Sequence, residues 1–396
     1  MRSPHRRWCW VPIRLCLLLV AAGWGMGGCI SLRPGSRAPT SLSEHVARAA
    51  RDAGLDPAQT ASWHTQGRAI GVRAARGSSG SLSQGLGRGL EVEAFIPFHI
   101  TPSVRRFAER NVRGTTEFEQ ILTLVQSILT IDTIRDFYDA TLTLTASETL
   151  ELGRGNCFAF TNLFVAAARA AGFQAGYMDA TLENHGMRVE GRTAIYSRHM
   201  VAWVGTSRGR FVVDFYEVSI WRQDRVLQPL ADHEVVAMFL NNLGYEAMKH
   251  GVDAGPYFRA ATRIAPGLAG PWNNLAVYLK QHDRVEEARD VLLDAVSSRV
   301  RSFAPYFNLG KICLDDGDPV HAAAWLRKAW FRGWRNPFVV YNLGLAYSRQ
   351  GKRLVALTLL RRAWRMDSSL VAAHTKIERL EAVTRGKPWS LRRSPP

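Results

Sequence analysis

The sequence predicts an α+β domain followed by an all-α solenoid of helical repeats. Three observations carry that expectation. Between Phe173 and Phe215, short runs of β-branched and aromatic residues alternate with polar ones, whereas apolar residues recur at helical spacing on either side. The C-terminal part repeats itself every 34 residues. The composition is globular: 396 residues, 46% hydrophobic and 21% charged, enough for two or three domains with cores of their own. It argues against whole-chain disorder, a collagen-like repeat and a bundle of membrane helices.

Residues 1–28 read as a signal peptide. Arg2, Arg6, Arg7 and Arg14 precede or enter an apolar run from Leu15 to Ala22 that no acidic residue interrupts. The run is shorter than the roughly 20 residues a bilayer core requires, and suits the apolar region of a secretory signal. It ends in Met26-Gly27-Gly28-Cys29, which resembles the bacterial lipobox. That resemblance implies lipidation of Cys29. Because Ile30 stands where an inner-membrane retention signal would place Asp, it also implies an outer-membrane lipoprotein facing the periplasm.

Loss of this segment would lower the formal charge from +17 by four, to +13. A basic balance favours anionic partners. Nucleic acid is scarce in the periplasm, so no nucleic-acid partner is expected. Membrane or cell-wall anions suit the charge better. Only Cys157 and Cys313 would remain as free thiols, too few for a disulfide framework.

Residues 29–90 read as a tether and N-terminal segment, with a short helix from Glu44 to Ala53 and a Gly/Ser-rich loop from Gly71 to Gly89. Residues 91–232 form the predicted α+β domain. Val104, Phe107, Ala108 and Val112 mark one helix; Phe118, Ile121, Leu122, Val125 and Ile128 mark the next. Cys157 then opens a run in which Phe160, Leu163, Phe164, Ala167 and Ala171 make a helical stripe, with Asn156 as N-cap and Gly172 as C-cap. A cysteine in the first turn of a helix faces unpaired N–H groups and the positive end of the dipole, which stabilise a thiolate and can receive an oxyanion.

Downstream, Ser197–Val204 and Arg210–Phe215 read as the strands of a hairpin. His199 and Asp214 share a face only if the turn leaves an even number of residues unpaired, for example Gly205 to Arg208. Asp214 stands in an otherwise apolar strand, and a buried carboxylate requires a partner. His185, in the loop-like Glu183-Asn184-His185-Gly186, reads as a solvated residue.

Gly-x-Cys opening a helix, a strand His followed by Trp, and a strand Asp, in that order, together resemble the transglutaminase-like superfamily over about residues 100–220. The resemblance implies a papain-like thiol fold with a catalytic triad. Cys157 would be the nucleophile, His199 the base and acid, and Asp214 the orienting carboxylate. Tyr138 would lie near the cleft. Amide hydrolysis or acyl transfer on a peptide or protein substrate is then expected, with no cofactor and no metal.

The last part carries the period. Leu275-Ala276, Leu309-Gly310 and Leu343-Gly344 are in register, as are Ala288, Ala322 and Ala356. This resembles the tetratricopeptide repeat, in which small residues let antiparallel helices pack closely. Residues 233–268 read as a degenerate repeat, because Leu243-Gly244 is out of phase by two. Residues 269–384 hold three repeats and a closing helix from Val371 to Val383, and 385–396 form a basic tail. Cys313 falls at a core position. Asn273, Lys280, Lys311 and Arg349 are candidates to face a partner groove for a protein or peptide. The whole is an α+β papain-like, transglutaminase-like domain followed by an all-α tetratricopeptide-repeat solenoid. Its function is read as a cell-envelope thiol enzyme, or alternatively as a catalytically inactive scaffold lipoprotein that binds proteins through its repeats.

Overall fold

Capping chemistry sets where the helices begin in the computed structural model, which describes residues 42–55, 95–131, 139, 142–180, 187–190, 193–196, 199–215, 227–333 and 335–384. The signal peptide, Cys29, the Gly/Ser-rich loop, Tyr138, His185 and the basic tail lie outside the described residues. Helix α1 spans Leu42–Asp52. Helix α2 (Pro102–Asn111) starts on Thr101, whose hydroxyl accepts from Val104 N–H. Helices α3 (Glu117–Leu129) and α4 (Ala146–Leu152) each open with a capping box, Thr116 with Glu119 and Thr145 with Glu148. Helix α5 (Cys157–Ala170) is capped by Asn156 and closes in a Schellman motif: Phe173 N–H donates to Ala168 C=O and Gly172 N–H to Arg169 C=O, both at 3.0 Å. Ala171 is therefore the C-cap, and Gly172, at φ +90°, is the left-handed residue after it.

The described residues group into two compact units with the main division at Phe239/Leu240; residues 48–55, 189–190 and 193 group with the second. In the first, α5 is the central element. Its residues from Phe158 to Ala168 are all buried, so the helix is covered on every side rather than along the single stripe the spacing predicts. Helices α2, α3 and α4 pack against it, as do strands β1 and β4. Full burial of Phe160, Leu163 and Phe164 contributes about 1.5–3 kcal/mol each.

The sheet is antiparallel, in the order β5-β4-β1-β6, from β1 (Ala175–Asp179), β4 (Met200–Thr206), β5 (Gly209–Val213) and β6 (Gln228–Leu230). Strands β2 (Met187–Glu190) and β3 (Thr193–Tyr196) form a separate two-stranded sheet. Strand β6 departs from the sequence reading. It is three residues long, contains Pro229 and lies at the sheet edge, where a missing N–H is tolerated.

Helix α6 (Asp232–Lys249) crosses the division between the units. The second unit continues with α7 (Gly255–Ile264), α8 (Ala269–Gln281), α9 (Val285–Ser297), α10 (Ala304–Asp315), α11 (Pro319–Arg332), α12 (Pro337–Arg349), α13 (Arg353–Met366) and α14 (Val371–Thr384). The repeats are helical hairpins, and glycine sets their closeness. A Cβ on Gly310 would come within 2.5 Å of Leu326, one on Gly344 within 3.0 Å of Leu360, and one on Gly244 within 2.7 Å of Phe258. The out-of-phase Leu243-Gly244 thus plays the same packing part as its counterparts. Helix α14 closes the array, burying Ile377 and Leu380 against Leu357 and Leu360.

Candidate active site

Gly155 explains the first element of the motif. A Cβ there would lie 2.5 Å from the Cβ of Ala159, so only glycine lets the chain enter α5 at this angle. The entry is braced from upstream: Asn156 N–H donates to Leu142 C=O at 2.9 Å and Asp139 N–H to Gly155 C=O at 3.0 Å. The Asn156 side chain accepts from Ala159 N–H at 3.0 Å and donates to the Thr143 hydroxyl at 2.9 Å. With Ala159 N–H taken by the cap, the N–H groups of Cys157 and Phe158 have no acceptor within the helix. The half-buried thiol of Cys157 sits beside them.

His199 and Asp214 are brought together by the hairpin. Thr206 pairs with Gly209, which leaves Ser207 and Arg208 unpaired, an even number as the shared face requires. The loop is tighter than the four-residue example, so the two residues are not directly opposite. Continued past the strand ends, the register sets Asp214 across from Val201, one diagonal step from His199, which long side chains can span. The imidazole Nε2 lies 2.8 Å from Asp214 Oδ2. Two further contacts hold the hairpin. Ala180 N–H donates to His199 C=O at 2.8 Å, and Ser207 N–H donates to Glu117 at the start of α3, also at 2.8 Å.

Burial alone would depress the basicity of His199. Hydrogen bonds from its ring to Asp214 and Cys157, with the charges of both, overcome that penalty and raise its pKa from the usual 6.5 to about 9. Since Nε2 is occupied by the carboxylate, Nδ1 is the ring nitrogen left to face the thiol. The imidazole is thus bonded to a carboxylate, and the thiol of Cys157 is among the groups that raise its basicity.

Asn162 supports the helix behind the cysteine. Fully buried, it donates to Leu144 C=O at 2.8 Å and accepts from the hydroxyl of Tyr177 at 3.1 Å. Arg169 clamps the other end of α5 through paired bonds to Asp232 at 2.9 and 2.8 Å. The sequence reading singled out neither Thr143 nor Asn162. A polar residue inside an apolar helix, as at Asn162, is the signal that was available. Trp203, the strand tryptophan, lies against Gly176 of β1, where a Cβ would stand 2.7 Å from its Nε1. Among the described residues, no group of three His, Cys, Asp or Glu side chains is placed to hold a metal ion.

In the repeats, Cys313 is buried in the core, and burial raises its thiol pKa. Of the four groove candidates, Asn273 departs from expectation. Asn273 is only 2% exposed; its Oδ1 accepts from Asn308 at 2.6 Å and its Nδ2 donates to Asn274 at 3.2 Å, so it links repeats instead of facing solvent. Lys280 pairs with Asp315 at 3.2 Å, and Arg349 donates to Leu314 C=O. Lys311 lies over the Phe307 ring at 5.9 Å.

Residues 106–215 match the model of the transglutaminase-like superfamily. The chain therefore carries a transglutaminase-like domain, and Cys157, His199 and Asp214 fall within it. Among curated proteins, the chain is similar to the protein O-mannosyl-transferase TMTC3 of Homo sapiens, with 32% identity over 106 residues. That match covers 26% of this chain and only 12% of the human protein. Similar solved structures include PilF of Pseudomonas aeruginosa (19% identity, TM-score 0.37, 39% of this chain and 72% of that one). YrrB, a TPR protein with an unusual peptide-binding site, is another (14% identity, TM-score 0.32, 38% and 78%). A third is MamA of Desulfovibrio magneticus RS-1 (17% identity, TM-score 0.34, 38% and 85%).

Proposed function

We propose that this protein is a thiol enzyme acting on amide bonds of peptides or proteins, with Cys157 as nucleophile, His199 as base and acid, and Asp214 as orienter. The 2.8 Å bond between His199 and Asp214, with the thiol on the other side of the ring, carries the reading. A histidine protonated up to about pH 9 is the charge partner a thiolate requires. The Cys157 sulfur adds to the substrate carbonyl carbon, and the N–H at the start of α5 receives the oxyanion. The C–N bond then breaks, the amine leaves with the His199 proton, and a thioester forms. Water or a second amine gives its proton to His199, attacks the thioester and releases the sulfur, so the outcome is hydrolysis or acyl transfer. Asp214 holds the ring and stays ionised throughout.

In this reading the repeats recruit a protein or peptide partner, and the Cys29 lipid anchor keeps the enzyme at the outer membrane, facing the periplasm. Thiol labelling tests the chemistry. Iodoacetamide should modify Cys157 faster than free cysteine near pH 6, and His199→Ala should abolish that advantage. Slow labelling equal to that of free cysteine would leave an adaptor that works through its repeats alone. Membrane fractionation of Cys29→Ala tests the anchor, since unchanged retention would refute lipidation.

A further inference from the structure

The second helix of one repeat is acidic and those of the next two are basic. Helix α9 bears Glu286, Glu287, Asp290 and Asp294 against the single Arg289. From Pro319 to Met366, which spans α11 to α13, the sequence contains ten Lys and Arg and no acidic residue. The same stretch holds large apolar side chains in water: Phe331 is 80% exposed, Leu354 79% and Val320 64%. Soluble surfaces show single exposed apolar residues routinely, but these fall in a pattern.

Along α11, Val320, Arg327 and Phe331 recur at intervals of seven and four, which places them on one helical face. Along α13, Leu354, Arg361 and Arg365 recur at the same intervals, each 34 residues after its counterpart. Equivalent positions of adjacent repeats are neighbours on one surface. Arg362 confirms the adjacency by reaching from α13 to lie 5.5 Å over the Trp330 ring of α11.

We propose that this face of α11 and α13 docks on an anionic phospholipid surface. Arg327 and Arg365 would meet the headgroups, with Arg361 held by Glu381 of α14 at 2.7 Å, while Phe331, Leu354 and Val320 enter the boundary with the acyl chains. A helix face that mixes basic with large apolar side chains suits the bilayer interface. Nucleic acid would satisfy the charge but offers no place for exposed valine and leucine. The contact is separate from the Cys29 anchor, which is removed by Cys29→Ala in every variant below.

Full-length protein carrying Cys29→Ala is to be sedimented with phosphatidylcholine vesicles, with and without phosphatidylglycerol. Retention should require the anionic lipid and fall with added salt. Arg327→Glu with Arg365→Glu should weaken it by roughly 30-fold or more, since each lost cation weakens attraction about fivefold. Phe331→Ser with Leu354→Ser should weaken it several-fold, with unchanged circular dichroism. The emission of Phe331→Trp, measured against wild type, should gain a blue-shifted component on anionic vesicles. No such gain would overturn the proposal. So would serine variants that bind as wild type does, or arginines that serve a duplex oligonucleotide or the acidic α9 face of a second copy instead.

Discussion

Cys157 and Cys313 both sit in helices, one half-buried at the start of α5 and the other in the core near the end of α10. The first has N–H groups without an acceptor in their own helix beside it, and an imidazole bonded to a carboxylate. The second has apolar neighbours and a thiol pKa raised by burial. Residue type is the same, so position sets what each thiol can do: a nearby proton acceptor and helix dipole favour a thiolate, and an apolar surround favours a space-filler.

That contrast can be broken most severely at the carboxylate. Asp214→Asn keeps the shape but cannot hold the imidazolium, and should lower turnover or acylation by about 10²- to 10⁴-fold while leaving the fold intact. A smaller loss, read by active-site acylation, would mean that Asp214 only buttresses the hairpin.

A second effect is set by pH. In the proposed mechanism His199 must be protonated to release the amine, so activity should fall about tenfold per unit above pH 9. The linked stability has the same sign. The folded-state pKa is raised above 6.5, so the stabilisation is complete below that value and disappears as pH rises through about 9. Melting temperatures of wild type and His199→Ala should therefore converge at alkaline pH.

The smallest effects separate entry from filling. Gly155→Ala drives a Cβ into Ala159 and should cost about 1–3 kcal/mol. It should also displace Cys157 and slow its labelling. Cys313→Ala should cost about 1 kcal/mol in chemical denaturation and leave labelling of Cys157 unchanged.

Local chemistry was the legible part of the sequence. Asn156 and the glycine after α5 announce its ends because caps are short-range. The parity of the β4–β5 turn puts His199 and Asp214 on one face without any knowledge of the rest. The 34-residue spacing exposes the repeats because packing demands small residues at fixed places. What stayed hidden depends on distant partners. The all-round burial of α5 follows from the helices and strands that surround it. Strand β6 exists only because β1 offers it an edge. Asn273 reads as a polar surface residue until Asn308, 35 residues away, covers it.

The asparagines also give the array a grain. Asn274 donates to Asn241 at 2.9 Å, and Asn308 to Asn273 at 2.6 Å, each reaching back one module. Asn342 would reach back to position 307, but phenylalanine stands there, and its amide turns to the Phe338 carbonyl of its own helix at 2.8 Å. From there other side chains take over: Arg349 donates to Leu314 C=O and Gln350 to Pro319 C=O at 2.7 Å, each reaching back to the module before. Asn308→Ala should therefore loosen the earlier junction and leave the outermost one as it is.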